Sequence, residues 1–220
     1  MLRVATYNVR HCRGMDGIVD VARTAHAIAS TGAGFVALQE IDRHRARSGD
    51  VDQPALLAEL SGLEVRFWPT LSNDGDYGLA VAVAGDLEAG DFLALPREGE
   101  GEPRGAIIAR WREITLIAVH LANESRARRL QLRAVAEVAE RALPPVVILG
   151  DLNCPRRGLG PLRRAGFDPG PRLQSRTSAP LPQIDYILCG PGLALEAAWS
   201  VQTTASDHLP VVGDIAATPA

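Results

Sequence analysis

The 220-residue sequence contains no lysine: all 23 basic residues are arginine, set against 26 acids for a net charge of −3. That absence excludes a lysine nucleophile or lysine phosphate ligand and leaves those roles to arginine, histidine or a metal. The acidic balance disfavours broad, sequence-blind nucleic-acid binding, which draws on a basic surface. Aromatic residues are scarce, at 5%, and scattered, so the stacking platforms used by single-stranded nucleic acid are lacking. Trp68, Trp111 and Trp199 fall in or beside apolar runs and are expected in the core. Cysteine is limited to Cys12, Cys154 and Cys189, an odd number at wide spacings, which excludes a readable disulfide framework or zinc ribbon. No run approaches the ~18 apolar residues that span a bilayer. The chain opens Met1-Leu2-Arg3-Val4 directly into an alternating pattern, without a charged leader or h-region, so a reducing cytoplasm is the expected setting.

What is present suits one large domain, expected to run over 1–220 as a monomer. With 46% hydrophobic residues, a chain of this size buries roughly 70% of its unfolded surface without a staple. Short runs rich in Val, Ile, Leu and Ala predict strands at 2–9, 35–41, 64–68, 78–84, 92–95, 105–111, 114–121, 146–152, 184–189, 195–202 and 209–215. Asp20 can cap a helix whose Val21, Ala25, Ile28 and Ala29 share a face, and 53–60 predicts a shorter helix. Ser125 can cap a long helix to Leu143, with Ala127, Leu130, Ala134 and Val138 as its apolar stripe, before Pro144-Pro145 stops it. Its Arg126, Arg129 and Arg133 are expected in solvent, paired with Glu137 and Glu140. Stretches 97–104 and 158–182 read as loops. Strands outnumber helices without alternating with them, which points to packed sheets flanked by helices.

The informative polar residues stand where apolar runs stop: Asn8, Glu40, His120, Asp151 with Asn153, Asp185, and Asp207-His208. A carboxylate at a buried strand end is costly unless paired, hydrogen-bonded or bound to a cation. Oxygen donors with few His or Cys ligands suit Mg2+ or Mn2+, and two histidines can donate hydrogen bonds to phosphate or move a proton near neutral pH.

Thr6-Tyr7-Asn8, Leu38-Gln39-Glu40, Val119-His120-Leu121, Gly150-Asp151-Leu152-Asn153, Ile184-Asp185-Tyr186 and Ser206-Asp207-His208-Leu209-Pro210 together resemble the ordered motif set of the endonuclease/exonuclease/phosphatase superfamily. The chain is most similar to its small bacterial metal-dependent hydrolases, through Tyr7-Asn8-Val9-Arg10-His11, Asp42-Arg43 with Arg47-Ser48, and Tyr77-Gly78. The resemblance implies an α/β fold, a four-layered sandwich of two central, mostly antiparallel β-sheets flanked by helices. It also implies roles: Glu40 as principal metal ligand with Asn8 and Asp207 nearby, Asp151 and Asn153 aligning water and phosphate, His120 and His208 on phosphate oxygens, and Asp185 orienting His208. The general base is Asp151 or the Asp185-His208 pair.

Arg10 stands where the DNA-repair branch carries a carboxylate, which weakens an abasic-site endonuclease reading and adds a phosphate-binding cation. Arg10, Arg43 and Arg47 are candidate substrate ligands, within arginine clusters that also include Arg13, Arg45, Arg156 and Arg157; the alternative for Arg43, Arg45 and Arg47 is a solvated loop paired with Asp42, Asp50 and Asp52. The expected function is Mg2+- or Mn2+-dependent hydrolysis of a small or flexible phosphodiester by one-step in-line attack of water. A DNA or RNA nuclease is the runner-up, and a silent phospho-ligand binding protein is the alternative from another class.

Overall fold

The computed structural model describes residues 1–173, 176–178 and 183–218. Two mixed sheets stack face to face. The first has six strands in the order β10-β11-β1-β2-β4-β3, comprising β1 (Leu2–Asn8), β2 (Phe35–Arg43), β3 (Glu64–Asn73), β4 (Gly75–Val83), β10 (Leu193–Ser200) and β11 (Val211–Ala217). The second has the order β5-β6-β7-β8-β9, from β5 (Ala89–Ala94), β6 (Gly105–Trp111), β7 (Ile114–His120), β8 (Val146–Asp151) and β9 (Asp185–Cys189). Each sheet holds one parallel pair, β1 with β2 and β7 with β8; every other pairing is antiparallel.

Period-2 alternation divides each strand between two apolar layers, which is why the runs read as nearly continuous. Phe35, Ala37, Leu79 and Val81 meet Ile107, Leu116, Val147 and Ile187 between the sheets. Val36, Leu38, Ala80 and Ala82 face outward under α1 (Val21–Ala29) and α2 (Gln53–Ser61). Ile117, Val119, Ile148 and Leu188 face outward under α3 (Ser125–Arg141) and α4 (Gly160–Arg164). The result is the expected four-layered α/β sandwich with, among the described residues, four α-helices. Trp111 is core at 2% exposure, while Trp68 and Trp199 are partly buried against the inter-sheet and outer clusters. No described helix is long and apolar enough to cross a membrane.

Asp20 caps α1 by accepting from the Arg23 amide, and Asp52 caps α2 through the Ala55 amide. The long helix departs from expectation. Its N-cap is Glu124, which makes no side-chain cap hydrogen bond, and its buried face is Ala127, Gln131, Leu132, Val135, Ala136 and Ala139. Leu130 is left 37% exposed. Gln131 decides this rotation: its Oε1 accepts from the Ala122 amide at 2.8 Å and its Nε2 donates to the Pro96 carbonyl at 3.0 Å. A polar residue thus sits in the buried arc because both its ends are satisfied. Of the arginines expected to pair with Glu137 and Glu140, Arg126 instead pairs with Glu98 at 2.9 Å, and Arg129 and Arg133 form no ion pair among the described residues.

The expected loop 158–182 contains α4, since Pro161 sits in the first helical turn, where a missing amide costs nothing. Positions 174–175 and 179–182 of that loop lie outside the described residues. β3 runs five residues past its expected end, with Pro69 tolerated because this is the edge strand and its register shifts there.

Candidate active site

The topology explains why distant polar residues converge. β1 and β2 are parallel, so Asn8 and Glu40 emerge at the same edge; β7 and β8 are parallel, so His120 and Asp151 do too. β9 and β11 run antiparallel to β8 and β1, which brings Asp185 and the Asp207-His208 pair just before β11 to that edge from the other direction.

Local backbone then aims the side chains. The β2–β4 register shifts between Leu38 and Ile41, and Glu40 within that bulge takes φ +61. A bulge breaks the in-out alternation and turns the carboxylate toward the sheet end. Gly78, paired with Ile41 beside the bulge, admits no side chain because β3 packs closely there: a Cβ would lie 2.1 Å from the Trp68 carbonyl oxygen. Gly150, just before Asp151, is equally constrained, since a Cβ would lie 2.0 Å from the Val119 carbonyl oxygen.

Asn8 bridges two carboxylates, its Nδ2 donating to Glu40 Oε1 at 2.9 Å and to Asp151 Oδ2 at 3.1 Å, while its Oδ1 accepts from the Arg10 amide. Asp151 also accepts from the Asn153 amide at 2.9 Å. His120 Nε2 lies 3.7 Å and His208 Nε2 3.9 Å from Asp151 Oδ2, so the carboxylate sits between two imidazoles. His208 Nδ1 is bound by both Asp185 oxygens at 3.1 Å. Asn153 takes φ +49, and its Nδ2 donates to the Leu121 carbonyl at 2.8 Å, joining two strand exits. Ser206 Oγ donates to the Asn8 carbonyl at 2.8 Å, which ties the Asp207-His208 segment to β1.

The two histidines are pushed in opposite directions. Burial alone lowers the pKa of His208, but Asp185, with help from Asp151 and Asp207, outweighs it and holds the imidazole up to about 10. His120 is driven well below its ordinary value by burial, then by Arg104 and His208. Burial and the neighbouring Asp185 raise Asp151 to about 7, and burial raises Glu40.

Arg104 is the residue that sequence reasoning missed. Its Nη1 donates to His120 Nδ1 at 2.9 Å, contacts Tyr77 Oη at 3.4 Å and pairs with Glu102 at 2.6 Å, and its side chain is only 9% exposed. The signal that could have found it is register. Gly105 pairs with His120 across the antiparallel β6–β7 ladder, so the residue before β6 lies at the same edge.

The candidate substrate arginines are distributed differently. Arg10 stays at the site, with Nε 3.5 Å from Asp207 Oδ2. Arg47 makes a bidentate pair with buried Asp42, both contacts 2.7 Å, and lies over the Tyr77 ring. Arg43 is committed to Asp76 and stacks over Phe67. Arg13 and Arg156 donate to backbone carbonyls, so the arginine clusters are only partly a rim. All three cysteines are free and buried, with Cys12 and Cys154 in separate outer clusters.

A divalent cation fits this donor set. The carboxylates of Asp151 and Asp185 lie in a group with His208 whose polar atoms are within 4.8 Å of one another, and Glu40 shares Asn8 with Asp151, so the oxygens are the available donors while His208 is engaged by Asp185. Buried carboxylates pushed upward by burial and mutual charge are the groups a hard cation relieves, and oxygen predominates among the donors.

Comparison with known proteins agrees with this fold. The model of a family described as Endonuclease/Exonuclease/phosphatase matches residues 5–208. No curated protein matches the chain. Among solved structures, an endonuclease/exonuclease/phosphatase from Beutenbergia cavernae DSM 12333 is similar at 26% identity and TM-score 0.78, over 98% of this chain and 71% of that one. A mannosyl-6-phosphatase from Bacteroides thetaiotaomicron VPI-5482 is similar at 16% identity and TM-score 0.74, over 98% and 100% of the two chains. An AP endonuclease from Archaeoglobus fulgidus is similar at 18% identity and TM-score 0.68, over 97% and 99%.

Proposed function

Since the chain belongs to the endonuclease/exonuclease/phosphatase family, whose members hydrolyse phosphoester bonds, we propose that it is a Mg2+- or Mn2+-dependent phosphodiesterase acting on a small or flexible substrate. The observation that carries the reading is Asp151 held between His120 and His208 at the converged strand ends. Glu40 and Asn8, with Asp207 at the rim, would hold the metal. When bound, the cation neutralises charge on the phosphate and the leaving oxygen.

The chain's own residues do the rest. Arg104 can only donate, so His120 Nδ1 is the bare acceptor and its proton sits on Nε2, facing the phosphate position. His208, charged through Asp185, presents a second Nε2 proton to the same phosphate. Asp151, whose basicity is raised by burial and by Asp185, would take the proton of the attacking water. Arg10 at the mouth adds a guanidinium for a non-bridging oxygen.

The test is a screen with Mg2+, Mn2+ or EDTA over a chromogenic phosphodiester, its monoester counterpart, and single- and double-stranded DNA and RNA. Metal-dependent turnover of the diester with none of the nucleic acids is expected. Faster monoester turnover would make the protein a phosphatase, and cleavage of nucleic acid would make it a nuclease. No hydrolysis, with wild-type-like ligand binding by Glu40→Ala and His208→Ala variants, would leave a binding protein.

A further inference from the structure

Beside the catalytic edge, the first turns of α3 and the segment leading into α4 enclose a hollow of about 460 Å³. Its wall carries five arginines, Arg128, Arg129, Arg133, Arg157 and Arg164, and no acid. In a chain with more acids than bases, this is a local concentration of one sign. Arg128 is anchored, donating through Nη1 to the Ala122 and Asn123 carbonyls. The other four form no ion pair among the described residues, and none is needed to hold the fold, since Arg129, Arg133, Arg157 and Arg164 are all exposed. Glu137 and Glu140 line the adjoining hollow that shares Arg133 and Arg164, but neither comes within ion-pair distance of them. Guanidinium groups crowded without a counter-charge repel one another, a cost that a multivalent anion removes.

Two further features point to the same ligand. Ser125, the first residue of α3, lines the hollow, and the N-cap Glu124 gives the uncapped amides of this 17-residue helix no side-chain partner, so their partial positive charge adds to the arginines. Location is the other. Cys154 in the wall follows Asn153 of the active site directly, and the carbonyls that anchor Arg128 belong to the segment leaving His120. Adjacent Cα atoms are about 3.8 Å apart, so the hollow begins within one residue of the catalytic edge.

We propose that this arginine-lined hollow is a second phosphate site, which holds a phosphate group that the substrate carries in addition to its scissile ester. The proposal rests on the phosphodiesterase reading and narrows it: the substrate bears at least two phosphates. Two experiments test it. The first is calorimetric binding of tripolyphosphate in EDTA, where no metal brings anions to the acidic centre. Wild type is compared with Arg129→Gln/Arg133→Gln/Arg164→Gln and with a charge-matched control, Arg66→Gln/Arg112→Gln/Arg141→Gln. Binding weakened tenfold or more in the first variant and kept in the control is expected. Equal loss in both would reduce the effect to bulk charge, and no loss in the first would overturn the site.

The second experiment measures metal-dependent release of p-nitrophenolate from thymidine 5′-(p-nitrophenyl phosphate), with and without a 3′-phosphate. The 3′-phosphorylated ester is expected to show a KM at least tenfold lower, an advantage lost in the hollow variant, whose kcat on the plain ester is unchanged. Equal KM values in wild type, or an advantage surviving in the variant, would refute the substrate assignment. If neither ester is cleaved, the diesterase reading fails by itself, while the calorimetry still decides whether the hollow binds phosphate.

Discussion

Replacing Arg104 with glutamine removes the group that holds His120 neutral from behind. The guanidinium lies 2.9 Å from Nδ1 in a setting with almost no solvent, so protonating the ring would place two cations side by side and cost it its acceptor. With charge centres about 5 Å apart and an effective dielectric of about 20, the repulsion is about 3 kcal/mol. The charge-assisted hydrogen bond to the neutral ring adds about 1.5–3 kcal/mol in the same direction. Burial, the larger cause of the depression, survives the substitution, so the His120 pKa is expected to climb while staying below its ordinary value.

Ring-nitrogen NMR of the metal-free protein reads this directly. Wild type should show a neutral Nε2–H tautomer to a pH well below 6.5, whereas Arg104→Gln should show a protonation midpoint at higher pH and a mixture of tautomers. The acid limb of kcat/KM should move upward by the same amount. An unchanged titration and an unchanged tautomer in the variant would refute the argument, because Arg104 is the donor that fixes Nδ1 as an acceptor. Arg104→Lys keeps the charge without the planar fork, and separates repulsion from hydrogen-bond geometry.

Other substitutions probe the remaining parts. Glu40→Gln should cut metal-dependent activity at least about 100-fold and abolish thermal stabilisation by Mg2+ or Mn2+. Its Tm in EDTA at pH 7 should match or exceed that of wild type: a carboxyl raised by burial is costly when ionised in the fold, a cost that grows as pH rises past its unfolded value. A fall of several degrees in EDTA would mean that Glu40 is structural. Asp185→Asn should flatten the pH dependence of stability in urea titrations. A His208 raised to about 10 contributes stability fully present below pH 6.5 and lost as pH climbs through 10, at about 1.4 kcal/mol for each pH unit crossed between the unfolded and folded pKa values. A wild-type slope in the variant would show that Asp185 is not the cause. Gly78→Ala drives a Cβ to 2.1 Å from the Trp68 carbonyl and should cost about 2–4 kcal/mol, read as a Tm drop of about 5–15 °C. A Tm within a degree of wild type would show that the edge strand yields freely.

Most of the architecture and the six strand-end positions could be read along the chain, because both carry local signals: apolar runs with period 2, and polar residues where those runs stop. What escaped depends on pairings that are not local. Arg104 stands in a Gly- and Pro-rich loop with nothing to mark it, and only the β6–β7 register sets it behind His120. Arg47 takes Asp42, one of the carboxylates that local pairing offers, whereas Arg43 turns to Asp76, which only β4 brings against it. On α3 two apolar arcs compete, and the outcome turns on Gln131, whose partners Ala122 and Pro96 belong to segments that only the folded chain places beside it.

The active-site edge also shows how one residue type is made to differ by its neighbour alone. His120 and His208 approach the same Asp151 oxygen at nearly equal distance, yet one is backed by an arginine and the other by an aspartate. The aspartate behind His208 fixes a charged ring with protons on both nitrogens; the arginine behind His120 fixes a neutral ring with one. Between them, Asp151 is raised to about 7 because burial and Asp185 oppose its ionisation more than one charged histidine favours it. A second acidic backing residue would give two imidazolium groups and draw the Asp151 pKa down, leaving a carboxylate too weakly basic to accept a proton from water near neutral pH. With Asp151 as the proposed base, Arg104 would therefore bear on it as well as on the histidine it touches, since together with burial it opposes a charge on His120 that would draw the Asp151 pKa down.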